Sequence, residues 1–344
     1  MRILVSGIGG IGGVLAGEMI RAGHAPALVT GNRAIADAIA ADGLRVTTPA
    51  GAFTARPTEV AVSPSDLPEG GFDAAFLLMK ATSVVEAARA TVPVLAPSGF
   101  VVTFQNGIVE DAVGDAIGRG RVVSGIIGWG GTMHGPGVVE RTGPGDIHLG
   151  ELDGTITDRV RGIVPVLESA SRVVVTTNIL GALWSKLAIN CTITTIGAIA
   201  GETLGAMLGV RNARRVFLET YREVVDTAEA HGVRLERIAA NPRTLYLPKH
   251  AGPFTAWTKD MIARIVGRKY RRLKSSMLQS LDRGRPTEID FLNGYVVARA
   301  RAKGLAVPMN EALVRLVKEI ESGSRKPSMV NLADLPLHGP GPRR

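Results

Sequence analysis

The chain opens Ile3-Leu-Val-Ser-Gly-Ile-Gly-Gly-Ile-Gly12, and this stretch decides how the rest is read. Residues 3–5 are a short apolar run of strand type. Gly7, Gly9 and Gly12 then follow as G-x-G-x-x-G where the strand would turn into a helix, with Ile8, Gly10 and Ile11 between them. The first glycine permits a tight turn, the second lets backbone approach a pyrophosphate, and the third lets the helix pack closely on the strand. Val14, Leu15, Met19 and Ile20 continue at helical spacing, so the glycines stand at a helix N-terminus, where free N–H groups and the positive dipole end favour phosphate. Residues 7–12 are therefore expected to hold a dinucleotide. A structural turn is the plainer alternative.

The ribose end of such a ligand is read about twenty residues on, at the end of the second strand. The strand expected over 25–30 ends Thr30-Gly31-Asn32-Arg33, with no Asp or Glu to bind a ribose 2′-hydroxyl. Arg33 offers a fork of donors suited to a 2′-phosphate, which favours NADP(H) over NAD. Read locally, Arg33 is just the solvated first turn of a helix at 33–41.

At 344 residues, with 45% hydrophobic and 21% charged residues, the chain suits two globular domains. Its net charge of +9 comes without any aromatic-interleaved basic motif, so no nucleic-acid partner is expected. An anionic cofactor and a carboxylate substrate account for part of the excess. Cys191 is the sole cysteine, which excludes an intrachain disulfide and a cysteine-rich metal site. No metal-ligand spacing is visible. The N-terminus begins with a strand rather than a signal core, and the apolar stretch 187–207 is broken by Asn190 and Glu202, so a cytoplasmic protein without a membrane span is expected.

Through the first half, short apolar runs alternate with helical segments, arguing for a parallel sheet covered by helices. Leu44–Thr47 and an alternating run over 53–62 read as an added hairpin. The strand over 74–79 ends at Lys80, and that over 100–104 ends in Gln105-Asn106-Gly107; both ends are where open α/β sheets bind ligands. From about 179 the pattern becomes long helices. We expect domains at 1–175 and 176–332, with a loose tail at 333–344.

Two further constellations stand in the helical half. In Trp184-Ser-Lys-Leu-Ala-Ile-Asn190, Lys186 and Asn190 share a helix face that Thr194 extends, a polar row on an apolar helix. Later, Ser275-Ser-Met-Leu-Gln279 is followed by Pro286-Thr-Glu-Ile-Asp-Phe-Leu-Asn-Gly294, where Thr287 and Glu288 are expected to open a helix. As a helix cap and a dipole complement, these two residues would need no other role. Between them, Trp257–Lys274 carries seven basic residues with Met261, Ile262, Ile265 and Val266 at near-helical spacing. It reads as a surface helix packed by that apolar stripe, or as a basic amphipathic element contacting a partner subunit, as in a homodimer, or an anionic surface.

Taken in order, GIGGIG at 7–12, Lys80, QNG at 105–107, WSKLAIN at 184–190, SSMLQ at 275–279 and PTEIDFLNG at 286–294 resemble the ketopantoate reductase family over nearly the whole chain. The resemblance implies an N-terminal Rossmann-type α/β domain and an all-α C-terminal domain like that of 6-phosphogluconate dehydrogenases. It implies NADPH-dependent reduction of a 2-oxoacid, 2-dehydropantoate to (R)-pantoate in pantothenate synthesis. Lys186 would be the catalytic lysine, with Glu288 beside substrate and lysine. Ser276 would contact the substrate carboxylate, and Asn106, Asn190 and Lys80 would orient substrate and cofactor. Three positions depart from the family's pattern: Thr194 and Leu204 stand where the pantoate-site members carry asparagines, and Gly31 stands where a phosphate-binding arginine is common, with Arg33 two residues on. Thr194 and Leu204 admit a relative acting on another 2-oxo or hydroxy acid. A non-catalytic NADP(H)-binding sensor is the alternative from another class.

Overall fold

The computed structural model describes residues 1–238, 240–333 and 335–337, so the tail expected at 333–344 lies mostly outside the described residues. The described chain divides into two compact units, one of residues 1–105 and 109–179, the other of 106–108 and 180 onward.

In the first unit the strands and helices run β1 Ile3–Ser6, α1 Gly10–Arg21, β2 Ala27–Val29, α2 Arg33–Asp42, β3 Leu44–Thr48, β4 Gly51–Ala55, β5 Val60–Ala61 and β6 Phe72–Leu77. They continue α3 Val84–Thr91, β7 Leu95–Thr103, α4 Glu110–Ile117, β8 Val122–Ile127, β9 Gly131–Gly135, β10 Val138–Arg141, β11 Ile147–Glu151, α5 Asp158–Glu168 and β12 Val173–Val175. Eight strands form the main sheet in the order β12-β11-β8-β7-β6-β1-β2-β5. From β8 to β5 every pairing is parallel; β11 returns antiparallel to β8. Apolar residues on both faces, Leu4, Val5, Phe76, Val101 and Val102 among them, are buried because helices cover both sides. The strand order reverses at β1 and β6, where Ser6 stands opposite Leu77. That is the switch point at which such sheets bind ligands.

The run over 53–62 is not one hairpin arm. Gly51–Ala55 pairs with Leu44–Thr48 in a separate four-stranded sheet, β4-β3-β10-β9, whereas Val60–Ala61 joins the edge of the main sheet beside β2. A two-residue strand is too short to show any period. The second sheet packs on α1 through glycines spaced along one helix face. A methyl on Gly10 would meet the Gly131 carbonyl at 2.3 Å, one on Gly13 would meet Val139, and one on Gly17 would meet Val46.

The second unit is built on helices: α6 Ile179–Ala200, α7 Leu204–Gly209, α8 Arg211–Ala230, α9 Pro253–Lys269, α10 Ser276–Asp282, α11 Asn293–Arg301 and α12 Pro308–Glu321. By length and composition α6 could cross a membrane, but two-thirds of it is buried inside the protein, as for a central core helix. Thr287 and Glu288 open only a single 3-10 turn, Ile289–Phe291, before α11. The Thr287 hydroxyl accepts from the Ile289 N–H, the local cap the sequence allowed.

Candidate active site

At the end of β1 the backbone fits a pyrophosphate. Gly7 adopts φ +99°, and a methyl there would lie 2.5 Å from the Met79 nitrogen. Gly12 sits so close beneath this turn that a methyl would stand 2.1 Å from the Gly7 carbonyl oxygen. By contrast, nothing lies within 4 Å of where a Gly9 side chain would project, and no side chain caps the start of α1. N–H groups without a side-chain cap at the start of a twelve-residue helix, beside the open direction at Gly9, suit an anion. Gly10 and Ile11 form the first turn of that helix, and Ile8 is buried beneath it.

Thr30, Gly31 and Asn32 turn the chain out of β2, with Gly31 at φ +67° and the Asn32 side chain capping α2 through the Ile35 N–H. Arg33 is the first residue of that helix and is exposed. Lys80 is exposed as well, three residues past the end of β6 rather than directly on it. Gln105 is buried and donates to the Leu77 and Met79 carbonyls, tying the ends of β7 and β6 together. Glu110, which the sequence did not mark, accepts from the Thr103 and Ser124 hydroxyls and the Val109 N–H. Burial pushes its carboxyl above the usual carboxylate range despite these donors.

In the second unit, Asn106, Asn190, Thr194, Ser276 and Glu288 line one narrow recess, together with Met277, Ser280 and Leu292. The row along α6 explains the assembly. Asn190 and Thr194 lie on one face, and Gly197 continues it without a side chain; a methyl there would stand 3.1 Å from Ser275 Cβ. The gap admits the start of α10, where the Ser275 hydroxyl accepts from the Leu278 N–H and Ser276 begins the helix. Gly107, at φ +92°, brings its loop against the Phe291 carbonyl, and Asn190 Nδ2 donates to Asn106 Oδ1 at 3.4 Å. The segment carrying Glu288 is held from outside: Thr287 N–H donates to Glu321, and Asp290 pairs with Lys318. Glu288 itself is buried.

Lys186 does not line this recess. It stands half-buried one turn before Asn190 on the same face of α6. Leu204 is also elsewhere, buried at the start of α7 with its N–H on the Leu273 carbonyl. Of the two positions that depart from the pantoate-site asparagines, only Thr194 reaches the recess.

A residue the sequence reading passed over binds this unit together. Asn293 is fully buried, donates to the Cys191 carbonyl and to Asn310 Oδ1, and accepts from the Thr195 hydroxyl at 2.6 Å. Asn310 in turn donates to Glu223, a buried carboxylate on α8. Asn-Gly looks like a turn in sequence; the signal against that reading was its place just after an apolar Phe-Leu pair.

Two family models match the chain: "Ketopantoate reductase PanE/ApbA" over residues 3–154 and "Ketopantoate reductase PanE/ApbA C terminal" over residues 178–321. The chain belongs to the ketopantoate reductase family. It is 28% identical to a 2-dehydropantoate 2-reductase of Halobacterium salinarum, covering 92% of this chain and 98% of the relative. A 2-dehydropantoate 2-reductase of Mesorhizobium japonicum is also 28% identical, over 93% and 98%. Among solved structures, a PanE/ApbA family ketopantoate reductase from Ralstonia eutropha superposes with a TM-score of 0.80 at 28% identity, covering 94% and 99%. A D-mandelate dehydrogenase solved with NADH and anilino(oxo)acetate shares the fold at a TM-score of 0.79 and 19% identity, over 94% and 99%.

Proposed function

We propose that this ketopantoate reductase family member reduces 2-dehydropantoate to (R)-pantoate with NADPH, acting in the cytoplasm. The reading rests on one observation above all: five polar residues from four separate stretches of sequence converge on one recess, with Lys186 a turn away on the same helix face. NADPH, when bound, supplies the hydride. As charge builds on the carbonyl oxygen, the Lys186 ammonium polarises it and then delivers the proton. Glu288 holds the lysine and a substrate hydroxyl, the Ser276 hydroxyl takes the substrate carboxylate, and Asn106 and Asn190 fix the chain's end of the molecule. The N–H groups of the first turn of α1, Gly10–Gly12, hold the pyrophosphate, Lys80 contacts the cofactor, and Arg33 with no carboxylate beside it selects the 2′-phosphate.

Full-length relatives named 2-dehydropantoate 2-reductase support this substrate over another acid. The decisive assay follows NADPH oxidation across a panel of 2-oxoacids, with Lys186→Ala alongside. Turnover should be fastest with ketopantoate, and the variant should lose ~10²–10⁴-fold in kcat while still binding NADPH. Preference for a different acid would overturn the substrate. Near-normal turnover in a folded Lys186→Ala protein would overturn the chemistry.

A further inference from the structure

Helix α9 carries large apolar side chains on its outer face. Of the apolar stripe expected to pack, Met261, Ile262 and Val266 are half-buried and Ile265 is exposed, while the fully buried residues are the small Ala263 and Gly267. A methyl on Gly267 would stand 2.7 Å from Leu208 Cβ, so the glycine lets α9 lie against α7. Polar anchors finish the docking: Asp260 pairs with Arg214 at 2.8 Å, and Lys259 donates to the carbonyls of Arg243 and Thr244. Large side chains are thereby left facing solvent. Phe254 is 76% exposed, Trp257 58% and Ile265 56%. With half-buried Met261 and then Arg268, they stand at spacings of 3, 4, 4 and 3, which places all five within one narrow stripe of the helix surface. A contiguous exposed apolar stripe of this kind marks an interaction surface.

The two ends of the stripe differ. Its first turn is aromatic, with Phe254 and Trp257 stacked at 6.1 Å. Its last turns are cationic: Arg264, Arg268 and Lys269 on the helix, then Arg271 and Arg272, with Tyr270 and Leu273 exposed among them. Among the described residues, Arg264, Arg268, Arg271 and Arg272 have no ion-pair partner.

We propose that α9 is the seam of a homodimer, pairing antiparallel with the same helix of a second copy about a two-fold axis at Met261. Symmetry about residue 261 sets Phe254 opposite Arg268 and Trp257 opposite Ile265. Each aromatic end then receives the other copy's guanidinium over its rings, and an aliphatic side chain covers each indole. The same arrangement keeps the two cationic ends about 20 Å apart at 1.5 Å per residue, well beyond the ~8 Å screening length. A parallel pair would superimpose them. At the axis, flexible Met261 meets its copy and fills whatever gap remains. The exposed parts of Phe254, Trp257 and Ile265 alone amount to on the order of 400 Å² per copy, about half of the ~800 Å² per partner of a standard interface, with Met261 and Arg268 of the same stripe adding to it.

The test uses the full chain. Sedimentation velocity at micromolar concentration should give twice the 36.1 kDa chain mass. Trp257→Glu and Ile265→Glu should each give a monomer with an unchanged melting profile. Because Cys191 is fully buried, Met261→Cys introduces the one accessible thiol. A short bismaleimide should link it to its copy in high yield. Phe254→Cys should not link to itself, but should link when mixed with Arg268→Cys. A monomer at all concentrations overturns the proposal, as does a dimer that survives both glutamates or fails to cross-link through Met261→Cys. A monomer that co-sediments with phosphatidylglycerol vesicles would reassign the stripe to a membrane surface and equally overturn it.

Discussion

Replacing Asn293 with leucine tests whether the polar network behind the recess sets the recess itself. The substitution keeps volume and removes three hydrogen bonds, those to the Cys191 carbonyl, to Asn310 Oδ1 and from the Thr195 hydroxyl. Two of the stranded groups can rescue each other, since Thr195 lies four residues after Cys191 and its hydroxyl can turn back to that carbonyl. Asn310 Oδ1 has no such recourse, and an unsatisfied buried acceptor costs ~1–3 kcal/mol. With imperfect recovery of the first pair, the loss should be about 3 kcal/mol, a large share of the ~5–15 kcal/mol that folding typically yields. Hydrogen exchange over α6 reads it locally: amides at 191–200 should exchange roughly a hundredfold faster through opening of the second unit. Because Leu292 directly precedes Asn293 and Glu288 lies five residues before it, KM for the acid should rise more than KM for NADPH. Asn293→Asp sharpens the test. It keeps the acceptor for Thr195 but aims a carboxylate oxygen at two other acceptors, so its defect should ease as pH falls and the new carboxyl protonates. Unchanged exchange in Asn293→Leu, with both KM values unmoved, would refute the reasoning.

Arg33→Ala should raise KM for NADPH by ~10-fold or more, the worth of a charge-assisted hydrogen bond, and leave NADH unaffected; equal losses for both cofactors would make Arg33 mere surface. Gly9→Ala projects into open space and should weaken NADPH binding at constant melting temperature, whereas Gly12→Ala meets the Gly7 carbonyl and should lower the melting temperature too; calorimetry and nucleotide titration separate the two. Glu223 has its carboxyl pushed up to about 7, chiefly by burial and against the pull of the Asn310 and Met309 donors. A raised carboxyl binds its proton more tightly folded than unfolded, so its contribution is whole below pH ~4.5 and fades as pH rises through 7, by up to ~3 kcal/mol. Urea midpoints measured from pH 4.5 to 7.5 should fall for the native chain and flatten in Glu223→Gln; parallel curves would contradict the assignment.

Residues whose role follows from local geometry could be read from the chain. Gly7, Gly9 and Gly12 declare themselves because only glycine serves a tight turn and two close approaches in that order. Lys186, Asn190 and Thr194 share a face by helical spacing alone, and the structure keeps them on one face of α6. Other residues act only through partners far away in sequence. Asn293 resembles a turn until Cys191, Thr195 and Asn310 surround it, and nothing near Glu110 foretells Thr103 and Ser124. On α9 the reading held only in part, for a different reason. Periodicity locates an apolar stripe but not which side meets the protein, and there two small residues won the inner face because they let the helix come closer.

The glycines of α1 carry a consequence for how the chain is made. Gly10, Gly12, Gly13 and Gly17 within twelve residues each forfeit about 1 kcal/mol of intrinsic helicity, so this helix has little tendency to form by itself. What holds it are surfaces on both sides, and the contacts with Gly131 and Val139 come from residues synthesised more than a hundred positions later. During vectorial synthesis the first segment to leave the ribosome is thus among the last to be locked, a long-range closure of the kind that slows folding. Truncated nascent chains ending before β9 should leave α1 open to protease, and those extending past β10 should protect it.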